Sequence, residues 1–353
     1  MNPALEYYYV TNYSNCEFRY NFFDSHQSIV YSSYAIQLVS IPFQMLAFYV
    51  IIFQTPVAMK ISKTPLLINH TFCAILDVVL CTLCPLYLFL PMTAVSCIGL
   101  LSWFGLPTLL QLSIICLAEI CAALSYINLF ESRASSLLAN RFRISSNKSK
   151  ILYYCAVMLP AVFLTPLLKF FPEDQDVAKL EALKIYPCPT QEFFTTSVFI
   201  ALIDQVAIRY AIIPLALAVS SVLGHFLFHM VCLVYYIYVV PSKFVSKETQ
   251  GKQKTFLISI LFQTSIPFAV VIIPLAIVFA FNSFGYYSQK AMNLAFCCAL
   301  LHGLCESVGV IVVHKPYRDV IGLKIGRLLF KRSEISIHVQ PSLTRASGNL
   351  TNF

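Results

Sequence analysis

The feature that most constrains this chain is a series of nearly charge-free intervals, each long enough to cross a bilayer. A transmembrane helix needs about 20 apolar residues. Nothing charged lies between Asp24 and Lys60, and between Lys63 and Glu119 the single charge is Asp77. Further runs lie between Lys150 and Lys169, Arg209 and Lys243, and Lys254 and Lys290, and a last one from Ala291 to His314 carries only Glu306. The first three spans are expected at about 29–53, 66–90 and 101–131, with Pro91 ending the second and the residues before 101 forming a loop. One span in each of the four remaining intervals brings the count to seven. The fold class is therefore an all-α membrane protein, a seven-transmembrane helix bundle. Composition agrees: with 58% hydrophobic and 11% charged residues, against about 25% charged in an average soluble domain, the chain cannot cover a water-facing surface.

An odd number of spans puts the two ends on opposite sides, so lysine and arginine can orient the chain. The segments 54–65, 131–150 and 241–254 and the tail after 314 hold 18 of the 24 Lys and Arg, and the other side holds 6. This bias places the N-terminus outside and the tail in the cytoplasm. It also accounts for the net charge of +8 without a nucleic-acid partner, since no basic patch on a soluble domain is apparent. The sequon Asn12-Tyr13-Ser14 then lies on the glycosylated side and makes Asn12 a candidate acceptor. Residues 1–27 are Tyr-rich and polar, without the basic start and apolar core of a cleavable signal peptide.

The chain divides into an extracellular segment at 1–27, the bundle at 28–314, an amphipathic surface helix at 315–332 and a cytoplasmic tail at 333–353. The surface helix is expected because Lys315, Pro316 and Arg318 arrive together where the last span stops, and proline suits a first helical turn. Beyond it Ile321, Ile325, Leu328 and Leu329 share one face and Lys324, Arg327 and Lys331 another, the pattern of a helix lying on membrane lipid. Most of the 13 cysteines sit in apolar runs as small hydrophobic residues. Cys188, between Pro187 and Pro189 in the long acidic loop at 170–205, suggests an anchored loop. Cys97 near the outer start of the third span is one candidate disulfide partner for it and Cys16 is the rival; the spacing does not decide between them.

Three acids, Asp77, Glu119 and Glu306, fall inside spans, where a charge costs about 2.5–3.5 kcal/mol. They are expected to face the interior as a polar core that switches with activation, with plain packing as the alternative. His70, His225, His229 and His302 read as satisfied interior imidazoles, and their positions on different helices offer no metal-ligand set. At the inner end of the third span, Glu131 and Arg133 form a candidate lock from which the arginine can reach a neighbouring helix or a partner. No phosphate loop, metalloprotease helix or nucleophile elbow is present, so neither an enzyme nor a cofactor is expected. The halves also lack the paired broken spans of inverted-repeat transporters. A seven-span transporter or channel, or a non-signalling membrane binding protein, remains the rival class.

The run Val312-Val313-His314-Lys315-Pro316-Tyr317-Arg318 after the seventh span resembles the ending of the nematode serpentine receptors of class H. Lys63-Thr64-Pro65, Leu76-Asp77, Pro85-Leu86-Tyr87-Leu88-Phe89, Pro107-Thr108 with Gln111, and Pro187-Cys188 match as well, spread over nearly the whole chain. The resemblance implies a plasma-membrane chemoreceptor that binds a small chemical cue and activates a heterotrimeric G protein. It also implies a place in sensory-neuron cilia, and leaves room for a receptor dimer. It puts Glu131, Arg133, His314, Lys315, Pro316, Tyr317 and Arg318 on the coupling side. Ser132 stands where the family often has asparagine, which keeps the two charges but loses an amide.

Overall fold

The computed structural model describes residues 2–16, 21–162, 164–240 and 245–322. Among the described residues six helices are long and apolar enough to cross a membrane: His26–Phe53, Lys60–Leu83, Thr108–Ser135, Val206–Val239, Lys247–Ser283 and Gln289–Val313. These are spans 1, 2, 3, 5, 6 and 7. Span 4 is shorter, a 16-residue helix at Asn147–Val162 followed by a 3-10 turn at Thr165–Phe170. Two prolines, Pro160 within the helix and Pro166 at the start of the turn, explain why it does not run on as one α-helix.

Two expected boundaries are corrected. Span 2 ends at Leu83 in a π-helical turn, Val79–Leu83, and not at Pro91; Pro85 has no N–H to continue the ladder. Residues 86–89, expected inside the membrane helix, instead form a strand. Span 3 starts at Thr108, later than expected, because Gly105 in the left-handed region (φ 74°) and Pro107 separate it from a short helix at Leu100–Trp103.

The all-helical expectation also missed a small sheet. Strands β1 (Leu86–Phe89), β2 (Ala94–Cys97) and β3 (Val198–Ile200) are antiparallel in that order, with Leu86 opposite Cys97 and Ala94 opposite Ile200. Together with an N-terminal helix, Pro3–Thr11, and a loop helix, Gln175–Ile185, the sheet covers one end of the bundle. We call this the lid end, and the opposite end, where the lysines and arginines gather, the basic end. The lid has its own apolar core, in which Tyr87, Phe89, Phe193 and Ile200 meet Ile29, Phe296 and Leu300 from spans 1 and 7. A second core at the basic end joins Leu129 and Phe130 to Leu233, Leu257, Val310 and Tyr317.

The disulfide of the lid is Cys16–Cys188, with Cα atoms 5.8 Å apart. Cys97 is a buried free thiol on β2, so the Cys97–Cys188 pairing is corrected. The reason is the docking of the N-terminal segment: the Tyr8 hydroxyl donates to the Pro187 carbonyl and the Tyr13 hydroxyl to the Pro189 carbonyl, each at 3.0 Å. Those two bonds bracket Cys188 and bring Cys16 to it. Asn12 lies in the same segment and is exposed.

After His314 the chain is helical again over 315–322, where Tyr317 is buried and Ile321 packs beside it, while Lys315, Arg318 and Asp319 are exposed. The remainder of the expected surface helix and the tail at 333–353 lie outside the described residues.

A peptide map without reduction is expected to link the peptides of Cys16 and Cys188 and to leave Cys97 as a thiol that alkylates only after denaturation. Cys16→Ser or Cys188→Ser should each lower stability by about 2–4 kcal/mol, measured as denaturant unfolding of purified protein; a Cys97-linked peptide would contradict the fold described.

Candidate functional site

In the middle of the bundle a chain of buried hydrogen bonds connects four spans. Glu306 on span 7 is fully buried; one oxygen faces Nδ1 of His70 on span 2 at 2.7 Å and the other accepts from the Gln263 amide on span 6 at 2.9 Å. The other ring nitrogen of His70 meets the backbone carbonyl of Gln44 on span 1 at 3.2 Å. A carbonyl can only accept, so Nε2 carries a proton. One more proton lies between Nδ1 and Glu306, and whichever atom holds it the pair is neutral overall. That neutrality is what allows a carboxyl and an imidazole to sit in the membrane core.

The same Gln44 donates its side-chain amide to Asp77 at 2.5 Å, and the Cys81 thiol donates to the other Asp77 oxygen at 3.7 Å. Asp77 therefore joins Glu306 in one network. Among the described residues it has no cationic partner. Span 7 approaches it closely through Gly303, where an added Cβ would overlap the Asp77 carboxyl. Span 3 is tied in beside this network by Tyr126, whose hydroxyl meets His302 of span 7 at 3.2 Å and accepts from the Cys73 thiol at 3.5 Å. His70 and His302 are the satisfied interior imidazoles that the sequence suggests.

Glu119 is not brought into this network. It lies on an accessible face of span 3 and forms no hydrogen bond or ion pair among the described residues. The network also recruits Gln44 and Gln263, which the sequence reading passed over. The signal was available: an amide in an apolar span costs free energy unless it is paired, just as an acid does.

At the basic end Glu131 and Arg133 separate, because side chains two apart on a helix point to different sides. Glu131, fully buried, accepts from the Ser135 hydroxyl at 2.7 Å and lies 3.2 Å from the Lys150 ammonium of span 4. Arg133 turns the other way and places its guanidinium 4.9 Å from the centre of the Phe256 ring on span 6. Phe256 in turn touches His314, ring centres 5.6 Å apart, and His314 touches Tyr317 at 5.5 Å. The Thr55 hydroxyl donates to the Ile51 carbonyl, which leaves Tyr317 as the donor in its 2.8 Å bond to Thr55. Arg318 closes the end of span 7 by donating to the Val312 carbonyl at 2.6 Å, while Lys315 and the first-turn Pro316 lie at the surface of the following helix. Spans 1, 3, 6 and 7 are thus held together by the residues singled out from sequence, plus Phe256 and Thr55, which carry no sequence signal of a role.

The lid meets the bundle through Glu192. It caps the start of span 1 by accepting from the His26 backbone N–H at 3.0 Å, with the His26 ring 3.3 Å away. The N-terminus of a helix favours a carboxylate. Burial alone would raise the Glu192 pKa, yet its hydrogen bonds, that of the His26 side chain foremost, outweigh burial and hold it below the usual glutamate value.

Comparison with known proteins agrees with this architecture. Residues 24–327 match the family described as the serpentine type 7TM GPCR chemoreceptor Srh. The chain is 28% identical to serpentine receptor class H-72 of Caenorhabditis elegans over 337 residues, 95% of each chain. No solved structure matches it. The chain belongs to the Srh family of serpentine chemoreceptors and is a multi-pass protein of the plasma membrane.

Two outcomes are expected of these contacts. Glu306→Gln can donate to His70 and still accept from Gln263, so it should cost little, whereas Glu306→Leu strands both partners and should cost about 2–5 kcal/mol in denaturant unfolding. A lowered folded-state pKa for Glu192 means that its stabilisation is present above 4.5 and is lost as pH falls through the folded value. Proteolysis of the loop at 187–200 should therefore accelerate only in acid, and Glu192→Gln should abolish that dependence.

Proposed function

We propose that this chain is a chemosensory receptor that binds a small chemical cue and activates a heterotrimeric G protein from its basic end. The observation that carries the reading is the closure formed by Arg133, Phe256, His314 and Tyr317. It holds spans 3, 6 and 7 together on the face where the basic residues collect, which is the face a partner protein would need opened. The bias of lysine and arginine supports placing the basic end in the cytoplasm and the lid, with Asn12 as a glycan acceptor, outside.

The arrangement described is the resting one. A cue shifts the equilibrium only if it binds the open form more tightly, and a change of about a hundredfold in population needs about 2.7 kcal/mol of differential affinity. Glu119 is the membrane acid left free to meet a cue, since Asp77 and Glu306 are committed to internal bonds. It would pair with a donor group or positive charge on the ligand. Asp77 and Glu306 act as the middle of the switch, because their network joins spans 1, 2, 6 and 7 and must rearrange if span 6 moves. Glu131, Arg133, His314, Lys315, Pro316, Tyr317 and Arg318 form the coupling side.

Nucleotide exchange by a panel of G proteins, with receptor in lipid nanodiscs, tests the reading. Phe256→Ala removes a ring contact of about 0.5–1 kcal/mol and should raise cue-independent exchange about two- to fivefold. Glu119→Gln should raise the cue concentration for half-maximal exchange by about tenfold or more. No exchange with any partner in either wild type or Phe256→Ala would overturn it, and cue-dependent ion flux without a G protein would favour a channel.

A further inference from the structure

A cavity of about 200 Å³ lies between spans 3, 5 and 6, lined by Ala123 and Tyr126, Val222 and Phe226, and Thr264 and Phe268. It is far from the lid. Counted along span 3, Tyr126 is about 27 Å from the lid-end start at Thr108 and about 14 Å from the basic-end residue Ser135, at 1.5 Å per residue. Its rim reaches the outer surface of the bundle at Leu223, Phe268 and Ile272, all exposed where the bilayer would lie.

Neither polar side chain on its wall is free. The Tyr126 hydroxyl is engaged by His302 and Cys73, and the Thr264 hydroxyl donates back to the Ile260 carbonyl at 2.8 Å. The other lining residues are apolar. A ligand carrying a donor or acceptor would bury it without a partner and lose affinity, whereas apolar cavities of about 150 Å³ take up molecules of the size of benzene.

We infer that this cavity is a binding site for a compact, uncharged hydrocarbon-like molecule that reaches it from the bilayer. Entry from the lid end would have to pass the packed lid core and the buried polar network. Entry from the bilayer needs only passage between spans 5 and 6 at the rim. There the backbone of span 6 leaves the α-helix: Pro267 is followed by the π-helical turn Phe268–Ile272. Such turns cluster at functional positions in helices. The wall is also in ring contact with the basic end. Phe226 lies 6.4 Å from Phe268 and 4.8 Å from Phe130, the neighbour of Glu131. An occupant that wedges Phe226 and Phe268 apart bears on the contact at Phe130. Binding does not depend on the receptor reading; only its effect on coupling rests on that reading.

Photolabelling with adamantyl diazirine, on receptor in phosphatidylcholine nanodiscs, tests the site without a G protein. Adducts mapped by mass spectrometry should concentrate on Tyr126, Phe226 and Phe268 and saturate with probe concentration. Unreactive adamantane should compete, and adamantyl trimethylammonium, which is charged, should not. Ala123→Phe, filling the cavity from span 3, should cut these adducts by about tenfold, and Val222→Phe should do the same from span 5 should the first variant misfold. Labelling that rises linearly, spreads along spans 5 and 6 with lipid exposure and ignores both fillings would assign the space to lipid tails and overturn the inference. Competition by the ammonium would overturn it as well. Because the readout is covalent labelling, a missing nucleotide exchange would count against the proposed function and leave this site standing.

Discussion

The structure depends on one constraint: in lipid, a polar group must find its partner inside the protein. The series Asp77, Gln44, His70, Glu306 and Gln263 answers it by sharing two carboxyls, an imidazole and two amides among spans 1, 2, 6 and 7. Apart from the Cys81 thiol that Asp77 accepts within span 2, every bond of the series crosses between helices, so all four spans have to come together for the whole series to be paired. That is what makes the middle of the bundle specific. Apolar contacts elsewhere tolerate sliding, whereas a displacement of a few ångströms here would leave an acid unpaired.

The two ends use different chemistry around that middle. At the lid end the loops fold on themselves, through a three-stranded sheet, a disulfide and tyrosine hydroxyls given to proline carbonyls. At the basic end the closure consists of ring contacts, one cation over an aromatic face and the Tyr317–Thr55 hydrogen bond. Such contacts are worth about 0.5–1 kcal/mol each, far less than a covalent bridge. By that comparison the lid end is cross-linked more strongly than the closure around Arg133. Spans 5 and 6 have most of their residues on the bundle surface.

The polar network and the apolar cavity lie side by side without mixing. Tyr126 marks the boundary: its hydroxyl belongs to the network and its ring to the cavity wall. Because the hydroxyl is consumed, the cavity is dry in character although a buried histidine stands on the far side of the same ring. Span 6 contributes to both, through Gln263 and through the next residue, Thr264, whose own hydroxyl turns back to its helix.

Much of this was open to reading from the chain itself. The charge-free intervals determined seven spans, and the crowding of lysine and arginine determined which segments share a side, because bilayer thickness and insertion cost act on residues one by one. Asp77, Glu306 and Arg133 announced themselves for the same reason. Other things required the three-dimensional arrangement. Glu119 looks like Asp77 in sequence yet stands apart, since one helix face or another decides which acid meets a partner. Residues 86–89 looked like membrane helix, but Pro85 and the pairing of distant residues Ala94 and Ile200 made a sheet. Cys188 had two candidate partners, and tyrosines 8 and 13 decided in favour of Cys16. Periodicity and charge are local properties of a chain; which buried group finds which partner is a property of the packed whole, and only tertiary structure decides it.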